Sequence, residues 1–116
     1  MNYQNILYTL SKSKFRSSFH LNKKLKEYVN EKGLDKIKEH AYIFINERLK
    51  PSYIENDGKQ TPMKGHPVFV AQHACACCCR TCLYKWHKID KNKELNQKEI
   101  DYIVNLLIEW IKKEIK

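Results

Sequence analysis

His66-Pro67-Val68-Phe69-Val70-Ala71-Gln72-His73-Ala74-Cys75-Ala76-Cys77-Cys78-Cys79-Arg80-Thr81-Cys82-Leu83-Tyr84-Lys85-Trp86-His87 holds all five cysteines of the chain and three of its five histidines. Eight soft or borderline metal ligands within 22 residues point to a metal site with helices built around it. Pro67 suits the first turn of a helix, where its fixed φ helps and its missing amide costs nothing. The spacing therefore predicts a short helix from Pro67 to about Cys75, on which His66 and His73, seven apart, share a face. A second short helix is expected from about Cys78 to His87. On it Cys78 and Cys82 stand at i, i+4, Cys79 and Cys82 at i, i+3, and Trp86 continues the face of Cys82.

Upstream of this stretch the pattern is helical. Ile6, Leu7 and Leu10 give a weak helical repeat over residues 2–12. Phe15-Arg16-Ser17-Ser18-Phe19-His20-Leu21 reads either as a loop whose two Phe side chains plug the core or as a phosphate-contacting loop. Asn22 can cap a helix to Lys32 with Leu25, Tyr28 and Val29 on one face, and Gly33 stops it in a left-handed position. Asp35 can cap the next helix, whose stripe Ile37, Ala41, Phe44, Ile45 and Leu49 ends before Pro51. The Gly33 break implies a helical hairpin. Residues 51–65 form the one long connection, with Asn56-Asp57-Gly58 as its turn signature.

Downstream, Lys91 to Leu95 is a polar connection. Asn96 and Glu99 make a capping box for a last helix. Its stripe is Ile100, Ile103, Val104, Leu107, Trp110 and Ile111, and Lys112, Lys113 and Lys116 suit the negative end of its dipole. Nothing alternates over a strand's length. The expected fold is all-α: a small bundle of about five to six helices around a Cys/His metal site, one domain over residues 1–116.

A chain of 116 residues buries roughly two thirds of its unfolded surface. That supports a modest core to which a metal crosslink adds stability. No run reaches about 18 apolar residues and no leader pattern opens the chain, so the expected location is cytoplasmic, with reduced thiols and no membrane contact. The net charge is +9. Ser11 to Lys26 carries six Lys or Arg and no acid. That basic face, with Lys14, Arg16, Lys23 and Lys24, reads either as a solvated surface or as a nucleic-acid contact.

Within the decisive stretch, Cys79-x2-Cys82-x4-His87 with His73 upstream supplies two thiolates and two imidazoles, the number zinc takes in a tetrahedron. His66 or Cys78 can replace one of them. Free cysteines are often small buried hydrophobes, and one or two of Cys75, Cys77 and Cys78 fit that description. An iron–sulfur cluster on Cys75, Cys78, Cys79 and Cys82 is the nearest rival. Adjacent Cys78 and Cys79 would point about 100° apart on a helix, which favours zinc. The zinc deaminase and His-Glu-x-x-His signatures are missing. An enzyme remains open: Cys78 or Cys79 as thiolate nucleophile beside Arg80, with Asp57 as acid and Gln60 nearby.

The runs Phe15 to Leu21, Asn56 to Ala74 and Cys78 to His87 resemble a bacterial domain-of-unknown-function family, numbered 4186. The resemblance spans nearly the whole chain. In that pattern the positions of Cys75 and Cys77 are usually Thr, and that of Thr81 is usually Gly. The resemblance implies a ligand pool of Cys78, Cys79, Cys82, His66, His73 and His87. It counts against Cys75 and Cys77 as ligands, and with them the four-cysteine cluster, and it implies that the Asn56 to Pro67 loop belongs to the site; an iron–sulfur cluster stays the alternative to zinc. The expected output is metal binding, with zinc as the ion and nucleic acid as the leading partner.

Overall fold

The computed structural model describes residues 3–116. Residue 2, at the start of the first expected helix, lies outside them. Six helices and one 3-10 turn form among the described residues, with no strand. They are α1 (Tyr3–Ser11), α2 (Lys23–Lys32), α3 (Leu34–Arg48), α4 (Pro67–Ala74), α5 (Arg80–His87) and α6 (Gln97–Glu114), and the 3-10 turn covers Arg16–Ser18. No helix is long and apolar enough to cross a membrane.

The apolar stripes decide the packing. α6 buries Ile100, Ile103, Val104, Leu107 and Ile111 as the 3.6-residue repeat requires, and Leu106 and Ile108 as well. Its burial extends beyond one stripe because α1, α3 and α4 all pack on it. α3 buries Ile37, Ala41 and Ile45, with Leu49 fully buried at its C-terminal cap. α2 lies against α3 as the expected hairpin and buries Val29, with Leu25 and Tyr28 packed at the edge.

Chain ends follow local chemistry. Asn22 Oδ1 accepts from the Leu25 amide at 2.8 Å and starts α2. Asn96 and Glu99 form the reciprocal capping box of α6. Gly33 does stop α2 at positive φ, but its ψ of 151° takes it out of the left-handed helical basin into a region open chiefly to glycine. That conformation lets Gly33 serve also as the cap of α3, so Asp35 falls inside the first turn and not at the cap. There its charge complements the helix dipole instead.

The 15–21 run divides the expectation between its two Phe residues. Phe19 packs against the core, whereas Phe15 is exposed and meets Phe19 edge-on with ring centroids 5.1 Å apart. Arg16, not Phe15, is the residue that turns inward.

α4 ends in a turn that sets up the cysteines. The Cys77 amide donates to Gln72 O at 2.8 Å and the Ala76 amide to His73 O at 3.4 Å, with Ala76 at φ 58°. This is a Schellman turn built on alanine where glycine is usual. It folds Cys78 and Cys79 back over the end of α4 and leads into α5.

Candidate metal centre

α5 begins two residues later than expected, at Arg80. Cys79 is its N-cap, and Cys79 Sγ accepts from the Cys82 amide at 3.4 Å. Cys78 therefore precedes the helix, and the 100° divergence expected for adjacent helical cysteines does not arise. Cys78, Cys79 and Cys82 instead place their sulfurs within 4.8 Å of one another, a cluster that can hold a metal ion. The Cys78 and Cys82 sulfurs are 3.7 Å apart. Cys78 and Cys79 are buried, and Cys82 is the partly exposed member.

Arg16 completes the arrangement from 57 residues or more upstream. Its guanidinium lies 3.1 Å from Cys82 Sγ and 3.6 Å from Cys78 Sγ, and it donates to His73 O at 2.7 Å. It is only 8% exposed, so it faces the sulfurs and not a phosphate in solvent. Burial opposes its charge, but hydrogen bonds and charge from Cys78 and Cys82 outweigh that and raise its pKa. The thiols share protons unequally. Donation from Cys78 and Cys79, then Arg16, pulls Cys82 well below the ordinary thiol range against the effect of burial. Cys79 is pushed up, chiefly by donating to Cys78 and Cys82. For Cys78 the downward pull of Cys79 is outweighed by donation to Cys82 and by burial, and its pKa rises.

The three expected imidazoles do not join the sulfurs, and their hydrogen bonds say why. His87 Nε2 faces Cys75 O at 2.8 Å and must carry the proton; its Nδ1 then accepts from Tyr102 Oη at 2.8 Å. His66 Nδ1 accepts from the Val68 amide at 3.0 Å and caps α4, so its proton sits on Nε2, 3.0 Å from His40 Nδ1. Both rings have their one lone pair committed. His66 is also outside helical geometry, at φ −153°, and does not share a face with His73. It stands instead among Tyr28, His40, Phe44 and Phe69. His73 Nε2 points at the carbonyls of Thr61 and Pro62, at 3.1 and 3.2 Å, while the ring stacks on Phe19. Its proton is on Nε2, which leaves a lone pair on Nδ1.

Cys75 and Cys77 are fully buried. Burial pushes both thiols up. They behave as small apolar side chains and leave the four-cysteine cluster one sulfur short. Cys77 Sγ lies 3.7 Å from His87 Nε2, away from the other three.

The loop residues hold the cluster in place. Asp57 Oδ1 accepts from the Arg80 amide at 2.9 Å and from Gln60 Nε2 at 2.8 Å. Its Oδ2 accepts from the Thr81 amide at 3.0 Å and from Thr81 Oγ1 at 2.8 Å. Burial acts to raise the Asp57 pKa, but these donors prevail and lower it. An ionised, fully engaged carboxylate is a cap for α5, not a proton donor. Gln60 is spent on Asp57 and on the Gly58 amide, at 2.7 Å. Arg80 is 3% exposed and gives its terminal nitrogens to the carbonyls of Leu49, Lys50, Pro51, Asp90 and Lys93. It staples two loops together and does not face the sulfurs. Thr61 Oγ1 donates to Cys78 O at 2.8 Å. The loop from Asn56 to Pro67 thus supports the centre through its backbone, by contacts that run over 17 residues or more and that no local motif announces.

The tertiary arrangement defines an all-helical domain whose three converging thiols can hold a metal. A family model described as Domain of unknown function (DUF4186) matches residues 4–112, and the chain belongs to that family. No solved structure matches it.

Proposed function

We propose that this is a zinc-binding protein whose ion is held by Cys78, Cys79 and Cys82 as thiolates. The observation that carries the reading is the convergence of three sulfurs within 4.8 Å beside one buried guanidinium. A divalent ion with three thiolates has one net negative charge. Arg16 brings the opposite charge, so the buried assembly is neutral, as low dielectric demands. A monovalent or trivalent ion would leave a charge unbalanced. Zinc prefers four ligands, and its fourth position falls to water or a partner molecule.

Protein purified without oxygen should contain one zinc per chain, and X-ray absorption should give three sulfurs and one lighter donor. Iron with acid-labile sulfide would overturn zinc in favour of a cluster. Retention of the ion in a Cys79→Ser, Cys82→Ser double variant would overturn the ligand set.

Nucleic-acid binding is a second proposal. Its support is the exposed Lys14, Lys23 and Lys24 in a run without acids. Arg16 is not available for it. Retention on an oligonucleotide column that falls with salt is the expected result, and passage without retention at low salt would end the idea.

A further inference from the structure

The spacing that suits a tetrahedral ion also allows the same sulfurs a chemistry that needs no metal. Cys78 and Cys82 lie in direct sulfur–sulfur contact at 3.7 Å, and a disulfide requires about 2.05 Å. Closing the bond draws the two sulfurs together by about 1.7 Å. Cys82 is the most open of the five cysteines, and the Arg16 guanidinium sits 3.1 Å from its sulfur. A guanidinium at that distance can hydrogen-bond a peroxide held at the sulfur and supports the negative charge that leaves on its outer oxygen. Cys79 is differently placed. Its sulfur accepts from the Cys82 amide and caps α5, so drawing it into a bond would uncap the helix.

We propose that the metal-free cluster is a peroxide-sensitive modification site that closes a Cys78–Cys82 disulfide. In the first step the Cys82 sulfur attacks a peroxide oxygen and gives up its proton. The O–O bond breaks, the leaving hydroxide takes a proton and departs as water, and Cys82 becomes a sulfenic acid. In the second step the Cys78 sulfur attacks Cys82 sulfur, the S–O bond breaks, and the hydroxyl leaves with the Cys78 proton as a second water. The two sulfurs lose two electrons, and hydrogen peroxide is reduced to two waters. The disulfide consumes two of the three sulfurs, so metal and disulfide exclude each other. Cys75 and Cys77, fully buried, stay reduced throughout.

The test uses the full chain, stripped of metal, treated with equimolar hydrogen peroxide, alkylated and cleaved with trypsin. Cleavage after Arg80 separates Cys78 from Cys82, so the bond joins two peptides that fragmentation can assign. The expected result is loss of two thiols and a Cys78–Cys82 link. A Cys78→Ser variant should stop at a Cys82 sulfenic acid that dimedone traps, while Cys79→Ser should keep the link. Zinc-loaded protein should oxidise at least tenfold more slowly. A Cys79–Cys82 link in the unaltered chain, no loss of thiols, or zinc-loaded protein that oxidises equally fast would overturn the proposal. Mapping of the unaltered chain decides the matter even if a variant fails to fold. A chain that never takes up zinc but forms this bond would sink the metal reading and leave the oxidation chemistry standing.

Discussion

Arg16 connects charge to chemistry at the level of one residue. It lies in a basic run that looks like a phosphate contact, yet it is buried against Cys78 and Cys82. Its role was illegible because the contact spans 62 to 66 residues and no local pattern marks an inward-facing arginine. The thiol pool was legible, since eight ligands in 22 residues limit the choices. The imidazole ligands were not, because spacing does not say which ring nitrogen is spent on a hydrogen bond. His66 and His87 each commit their lone pair to a donor, the Val68 amide and the Tyr102 hydroxyl. Replacing Arg16 should therefore be felt at the metal. Arg16→Gln keeps a hydrogen-bond donor and removes the charge, and zinc affinity should fall about 10–100-fold, the usual cost of losing an outer-shell partner. Competition with a chromophoric chelator measures it, with helicity as a control for folding. An unchanged affinity would dissociate the guanidinium from the ion.

Helix starts carry the next level, and they respond differently to acid. The helices themselves were readable from periodicity and from Asn22, Pro67 and Asn96. The turns that end α4 and α5 were not, because Ala76 and Lys88 take positive φ without a glycine to signal it. Two of the starts depend on titratable caps. Asp57 caps α5 from the preceding loop, and Asp57→Asn should cost about 1 kcal/mol by urea unfolding, a typical loss for a capping group. Its pKa is lowered by folding, so its contribution is complete above about pH 4 and fades below it. His66 caps α4 as a neutral ring. Burial, then the nearby His40, lowers its pKa from 6.5 to about 4. The unfolded chain takes up this proton first, so the contribution of His66 declines as pH falls from about 6.5 to about 4 and then levels off. The loss is on the order of 1–2 kcal/mol after solvent screening. His66→Asn keeps a capping oxygen and removes the titration. It should reduce the slope between pH 6.5 and 4, leaving the share of buried His87, whose pKa burial also lowers, and the decline below pH 4 in place. A slope equal to that of the unaltered chain would mean that another group titrates there.

On the molecular scale, the centre is a junction of segments distant in sequence. Arg16 comes from the turn after α1, Thr61 and Asp57 from the long loop, and the thiols from the entry to α5. Arg80 ties that same entry to the end of α3 and to the connection before α6. An ion bound here would bind the folded chain more tightly than the unfolded one, because the unfolded chain offers the same local thiols but cannot hold the Arg16 counter-charge beside them. Stabilisation then follows mass action, about 4 kcal/mol when free zinc stands about 1,000-fold above its dissociation constant. For a chain of this size that corresponds to a shift in Tm on the order of 10 °C or more. Chelation should lower the Tm by that amount, and added zinc should restore it. The Arg16→Gln chain should show a smaller shift at the same free zinc, because its weaker affinity enters the same logarithm. Magnesium should do nothing, since hard cations have little affinity for thiolates. A Tm indifferent to chelation in protein shown to contain zinc would mean that folded and unfolded chains bind the ion alike. The junction would then be held by Arg16, Asp57, Thr61 and Arg80 without help from the metal.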